Sequence, residues 1–191
     1  MVETLRSCAF PALLSNHHLH NVAGLAIALA EMLEFGTEYH KNVIENAKTL
    51  GQALYERGLN VLMEHKGFTE SHQIVVDITD FEKTIGLGGD IEKRLEEANI
   101  ILNRNLLPYD IAAGRHYQNP GGLRIGTSEV TRLGMGKSEM VDIAEFFKKL
   151  LIDKKDPRKV RDEVAEFRKN FQQIQYCFQS QNKAYEYIKF Y

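Results

Sequence analysis

The sequence has 191 residues, 43% of them apolar, and a formal net charge of −2. Those totals suit one ordinary soluble domain, or one domain with a piece of another, with enough apolar mass for a sizeable core. The near-neutral charge gives no reason to expect nucleic acid or an anionic membrane as partner, and no apolar run approaches the length of a bilayer span. The first residues, Met-Val-Glu-Thr-Leu-Arg-Ser-Cys, lack the basic-then-apolar pattern of a secretion signal. Cys8 and Cys177 lie near opposite ends without metal-type spacing, so a cytoplasmic chain with free thiols is expected.

In chain order, Phe10-Pro11 leads through a loop to Ser15-Asn16, either of which can cap a helix. Leu19, Val22, Ala23, Ala26, Leu29, Ala30 and Leu33 then recur at three- and four-residue steps, predicting an amphipathic to fully buried helix that ends near Gly36. A second helix is predicted from Thr37 through Tyr39, Val43, Ile44, Ala47, Leu50 and Leu54, stopping at Gly58. Leu59–Met63 and Gln73–Ile78 read as strands. Asp90 caps a predicted helix to Ala98, Ile100–Leu102 is a brief strand, and a long loop runs from Asn103 to Pro120. Leu123-Arg124-Ile125 alternates apolar, charged, apolar, which predicts a strand with one buried face. Ser138 caps a predicted helix over Glu139–Leu151, and a last one covers Lys159–Phe171. The expected fold class is α/β (α+β): a small open sheet covered by helices on one face and preceded by a long helix.

Three clusters carry chemistry. Arg124 stands on a strand between Gly121-Gly122 and Gly126; glycines there admit unusual backbone angles and close approach of a ligand. Its guanidinium can grip a carboxylate or phosphate through two parallel hydrogen bonds, or serve as an ion-paired strand-edge residue. His17, His18 and His20 invite a metal, but no Cys or carboxylate joins them at ligand spacing and no metal site is expected. The helix start at Ser15-Asn16 offers backbone donors to an anion. Gly134-Met135-Gly136-Lys137-Ser138 imitates a nucleotide-phosphate loop, with Thr131 where that pattern needs a glycine.

Arg124-Ile125-Gly126-Thr127, followed by Thr131-Arg132 and Gly134, resembles the Arg-Ile/Val-Gly-Thr…Thr-(Thr/Arg)-Arg-Gly segment of serine hydroxymethyltransferases. Phe10, Pro11 and His20 match the family's Phe-Pro-Gly-x-Gln-Gly-Gly-Pro-x-x-His, with Ala12, Ser15 and Asn16 in place of its glycines, a divergence that points to an archaeal branch. Asn103-Arg104-Asn105-Leu106-Leu107-Pro108 resembles Asn-Lys-Asn-x-x-Pro. The resemblance implies that Arg124 binds the substrate carboxylate, that Asn105 contacts a pterin, and that Ser15 and Asn16 stand at the cofactor phosphate.

The resemblance covers Phe10 to Phe171 and corresponds to the C-terminal part of the family. It implies residues 1–36 as interdomain helix and remnant of a large domain, 37–172 as the small domain of a fold-type-I pyridoxal-phosphate enzyme, and 173–191 as a tail of unclear structure. The family's cofactor lysine, in Thr-Thr-Thr-His-Lys, has no counterpart here, so no catalytic residue is expected in this chain and no turnover by it alone. The complete enzyme implied is a homodimer that uses pyridoxal 5′-phosphate to move a one-carbon unit between serine or glycine and a tetrahydropterin. Other readings are the small domain of an aminotransferase-like pyridoxal-phosphate enzyme and a non-catalytic binding module. Without a large domain, the apolar helix Asn16–Phe35 is expected to drive self-association.

Overall fold

In the computed structural model, which describes residues 2–13, 16 and 18–178, the apolar periodicity from Leu19 onward builds one helix where two were expected. Helix α2 spans Leu19–Glu56, 38 residues, or roughly 57 Å at 1.5 Å per residue. Gly36 does not end it. A glycine inside a helix costs about 1 kcal/mol against alanine but blocks no hydrogen bond. The apolar stripe simply continues past it through Val43, Ala47, Leu50 and Leu54, all buried. Gly58 does end it, at φ +86°. Its N–H donates to Tyr55 O at 2.9 Å, and the Leu59 N–H donates to Leu54 O at 3.1 Å. Both bonds satisfy last-turn carbonyls, and the left-handed backbone they need suits glycine.

The chain divides into two compact units, Met1–Thr37 and Glu38–Tyr191. The first holds helix α1 (Val2–Ser7), a wide helical turn over Cys8–Leu13, and the first part of α2. The turn stands where a loop was expected. Inside it Phe10 is extended (φ −148°, ψ 129°), as the residue before a proline prefers. Val22, Leu25, Leu29 and Leu33 form a stripe along this part of α2, and all four are exposed.

The second unit carries an antiparallel sheet in the order β1-β2-β4-β3. The strands are β1 (Asn60–Val61), β2 (Gln73–Asp77), β3 (Asn103–Asn105) and β4 (Gly122–Gly126). Asn103, Arg104 and Asn105 are poor strand formers, and a loop was expected over them, with a strand three residues earlier. Pairing with β4 overrides the propensity. Ile74, Val76, Leu123 and Ile125 point to one face, as their spacing of two requires. They join buried residues of α2, α3 (Gly88–Glu97), α5 (Lys137–Leu151, after the short α4, Ser128–Arg132) and α6 (Pro157–Arg168) in one core. The fold is therefore α+β, an open sheet covered by helices.

Two helix starts differ from expectation. Asp90 is the third residue of α3, and its carboxylate reaches back to accept from the Leu87 N–H at 3.3 Å. At α5, Glu139 does the same for Gly136 N–H at 2.7 Å, while Ser138 donates to Glu139 Oε1 at 2.9 Å. In both cases a carboxylate at the third helical position accepts from the backbone N–H just before the helix and lies at its positive end. The last helix begins at Pro157, with Asp156 accepting from Arg158 N–H at 3.0 Å. The described part of the tail docks within this unit. The Gln175 N–H donates to Arg132 O at 2.7 Å, and Asn42 Nδ2 donates to the Tyr176 hydroxyl at 2.8 Å.

Candidate functional site

With helices on one face, the other face of the sheet is set by register. Arg124 pairs with Asn103 on one side and Val75 on the other; Gly122 pairs with Asn105 and Asp77, and Gly126 with Gln73. Register partners share a face, so Arg124, Asn103, Asn105, Gln73, Val75 and Asp77 all lie opposite the core. Asn105 and Arg124 are diagonal neighbours, about 7–8 Å apart by strand geometry. Two of the predicted site residues thus come to one surface.

Arg124 Nη2 donates to Asn103 Oδ1 at 3.2 Å. Among the described residues no carboxylate pairs with it. Other arginines of this unit are engaged: Arg57 with Glu145 at 3.1 Å, Arg104 with Glu92 at 3.0 Å, Arg115 with Glu82 at 2.9 Å. Of the two roles open to Arg124 in the sequence, the ion-paired strand-edge residue is thus not the one seen. Asn105 Nδ2 donates to Leu106 O at 2.8 Å, which turns its amide toward its own chain.

The glycines around Arg124 serve a different purpose from the one expected. None of Gly121, Gly122 and Gly126 has a positive φ. A Cβ on Gly121 would stand 2.6 Å from Asp110 Oδ1, and one on Gly122 would stand 2.6 Å from Leu107 Cδ2. The close approach is made by the protein's own loop over residues 106–120, which covers one end of the face. Beside Gly126 the nearest atom to an added Cβ is 3.8 Å away, so that end is open.

Asp110, fully buried, organises the covering loop. Its Oδ2 accepts from the Leu107 and Gly121 N–H groups, each at 2.8 Å, and its Oδ1 accepts from Arg115 Nη1 at 3.3 Å. Arg115 in turn bonds Glu82, which, with Asp110, holds its guanidinium above the ordinary value. Asp77 Oδ1 accepts from the backbone and hydroxyl of Thr79 at 2.9 and 2.7 Å, and its Oδ2 accepts from the Tyr109 hydroxyl. Burial, and then the hydrogen bond to Asp77, push the Tyr109 phenol up to about 12. Sequence reasoning missed Asp77, Tyr109 and Asp110. Only Asp77 left a local signal, a carboxylate two residues before a threonine at a strand end.

Of the motif residues after Arg124, Ile125, Thr127 and Thr131 are buried, Arg132 is half-buried, and Gly126 and Gly134 are exposed. The Thr127 hydroxyl donates to Val43 O at 3.0 Å; the Thr131 hydroxyl donates to Thr127 O at 2.7 Å and accepts from Asn46 Nδ2 at 2.9 Å. The phosphate-loop imitation is closed by its own side chain, since Glu139 takes the Gly136 N–H. Hydrogen bonds from that N–H and from Ser138 hold the Glu139 carboxyl below its ordinary value, against burial, which pushes it up. Ser15 and His17 lie outside the described residues. Asn16 is exposed and, within the first unit, borders a hollow lined by Phe10, His18, Val22 and Leu25. Among the described residues that line it there is no lysine or arginine. Among the described residues no three His, Cys, Asp or Glu side chains gather as a metal set, and no helix is long and apolar enough to cross a membrane.

An open antiparallel sheet with helices on one face has a solved counterpart. The second unit's architecture is that of a fold-type-I pyridoxal-phosphate enzyme. The chain aligns with the crystal structure of L-threonine transaldolase from Pseudomonas fluorescens in its internal aldimine state, at TM-score 0.73 and 31% identity, over 88% of this chain and 37% of that one. A family model described as Serine hydroxymethyltransferase matches residues 1–147. The serine hydroxymethyltransferase of Korarchaeum cryptofilum is 55% identical over 185 residues, 97% of this chain and 42% of that protein. Those of Nitrosopumilus maritimus and Methanocaldococcus jannaschii are 51% and 54% identical, over 98% and 99% of this chain and 42% and 43% of theirs. The chain belongs to the serine hydroxymethyltransferase family, and it spans less than half the length of these archaeal relatives.

Proposed function

We propose that this chain is the part of a pyridoxal-phosphate-dependent serine hydroxymethyltransferase that holds the substrate by its carboxylate, with Arg124 as the clamp. The observation that carries the proposal is a guanidinium on a strand, on the sheet face without helices, with no carboxylate partner among the described residues. Arg124 neutralises the carboxylate and fixes its plane through two N–H groups. Held on a strand whose other face is core, it sets the direction in which the bonds of the substrate's α-carbon point. Pyridoxal phosphate, when bound, supplies the electron sink for cleavage or formation of the bond at that carbon. Its lysine lies outside this sequence, so the chain alone turns over nothing. Asn105 contacts the pterin, and Ser15 and Asn16 stand near the cofactor phosphate. Residues 1–36 belong with the large domain and 37–172 form the small one. The complete enzyme is a cytoplasmic homodimer interconverting serine and glycine.

The test is a hybrid in which this chain replaces the matching segment of the Korarchaeum cryptofilum relative. The hybrid cleaves serine, and Arg124→Gln lowers its kcat/KM by roughly 100-fold, the loss of two charge-assisted hydrogen bonds. Retention of kcat/KM within about threefold, or serine turnover by the isolated chain, would overturn the proposal. The likeness to threonine transaldolase favours a second reading, an enzyme of another β-hydroxy amino acid, which the hybrid would show as a preference for threonine over serine.

A further inference from the structure

We propose that Asn103 is a positioning residue for Arg124: its side-chain carbonyl tethers one N–H of the guanidinium and leaves the rest of the fork turned to a carboxylate. The inference rests on the reading of Arg124 as a carboxylate clamp. Asn103 is the register partner of Arg124 in β3, so the two side chains rise from the same face at the same level. Nη2 donates to Oδ1 at 3.2 Å. Arginine carries no acceptor, so the amide can only present its oxygen there, and the orientation of Asn103 is settled by chemistry.

The other neighbours of Arg124 on this face do not hold its guanidinium. Gly122 and Gly126, two residues away along β4, have no side chain, and Val75, across β2, has only methyl groups. Asn105, Gln73 and Asp77 are its diagonal neighbours, and none of the three is hydrogen-bonded to Arg124: Asn105 donates to Leu106 O, and the Asp77 carboxylate is taken by Thr79 and Tyr109. Asn103 is thus the one polar side chain in register with the guanidinium.

The residue type matters as much as the place. A neutral carbonyl takes one of five N–H donors and leaves the positive charge intact. An aspartate there would fill the fork and compete with the ligand. A tether also restricts a long side chain before the ligand arrives, so less freedom is lost on binding. The amide nitrogen of Asn103 stays on the same face as a further donor.

The test uses the full chain and acetate as the minimal carboxylate, with sodium chloride at matched ionic strength as control. The readout is the Nε–H signal of Arg124 in a proton–nitrogen spectrum, assigned by its loss in Arg124→Lys. In the wild type, acetate moves this signal saturably and chloride does not. Asn103→Ala raises the half-saturating acetate concentration by about 3- to 10-fold without changing the melting temperature. Asn103→Gln recovers most of the affinity, and Asn103→Asp abolishes the response. Wild-type behaviour in both Asn103→Ala and Asn103→Asp overturns this inference and leaves the clamp standing. A weakened response in Asn103→Ala that comes with a lower melting temperature, and that Asn103→Gln does not recover, marks a structural role and also overturns it. No acetate response in the wild type removes the clamp reading itself, and this inference with it.

Discussion

Asp110→Ala should destabilise the second unit more than any change on the open face. The side chain is fully buried, and its two oxygens hold three donors. Truncation leaves the Leu107 and Gly121 N–H groups without an acceptor. Arg115 keeps Glu82 at 2.9 Å, so it loses one of two anionic partners and is not stranded. Each unsatisfied buried donor costs about 1–3 kcal/mol. Some relaxation of the loop toward water brings the expected total to about 3–4 kcal/mol, near the low end for a broken buried pair. For a unit of this size that is a fall of roughly 6–16 °C in melting temperature, readable by circular dichroism or urea unfolding. Asp110→Asn should cost about half as much, because its one remaining oxygen can take the place of Oδ2 at the two backbone donors while its NH2 faces Arg115. Gly121→Ala attacks the same contact from the other side, since its Cβ would stand 2.6 Å from Asp110 Oδ1 and 2.8 Å from Thr79 Cγ2. An Asp110→Ala protein within about 0.5 kcal/mol of the wild type would refute the reasoning. The loop over Gly122 would then be held by something other than this carboxylate.

Two further outcomes follow from exposed and half-exposed groups. Tyr109 has its phenol raised to about 12 from an ordinary 10.0, so the folded state holds that proton more tightly than the unfolded chain does. Its contribution to stability is complete below pH 10 and is lost as the pH rises through about 12. A tyrosinate absorbance titration should show one late-titrating phenol that Tyr109→Phe removes; an unchanged late limb in that variant would refute the assignment. The stripe Val22, Leu25, Leu29 and Leu33 should make the isolated chain self-associate, and a Leu25→Glu/Leu29→Glu double variant should sediment as a monomer at the same concentration. A wild-type chain that is already monomeric at high concentration would sink that expectation.

What the sequence revealed tracks how local each cause is. Strand β2 was legible from its run of β-branched residues, Ile74-Val75-Val76, and β4 from its apolar–charged–apolar alternation, patterns that need no partner to be read. The helix stop at Gly58 was legible because a left-handed glycine follows the last apolar step. Strand β3 was not, since Asn-Arg-Asn becomes a strand only by pairing with β4. Gly36 misled because glycine signals a stop only where the chain leaves the helix, and here both flanks continue it. The caps at Asp90 and Ser138 were misplaced because a carboxylate in the first turn can reach back to the helix entrance. In the site, Arg124 and Asn105 were legible as residues, but their shared face follows from register alone. Asp110 carries no local signal: its partners lie 3, 5 and 11 residues away and meet it only when the loop folds over Gly122.

In the segment from Leu123 to Gly136 most of the family motif builds the scaffold. Leu123 and Ile125 are in the core. Thr127 and Thr131 tie the turn after β4 to α2 through Val43 and Asn46, and Gly134, at φ +88°, supplies the turn before α5. Of strand residues 123–126, Arg124 carries the one side chain on the open face, beside Gly126. The carboxylate grip proposed for Arg124 would suit any α-amino acid, because every one of them presents the same group in the same relation to its α-carbon. Discrimination between a hydroxymethyl and a hydroxyethyl side chain must then come from groups that contact the far end of the substrate. Such a division would be compatible with a 31% identical threonine transaldolase sharing the fold over 88% of this chain. Replacing Arg124 should therefore weaken every amino acid substrate of the hybrid by a similar factor. A change that reverses serine-over-threonine preference belongs elsewhere in the assembled enzyme.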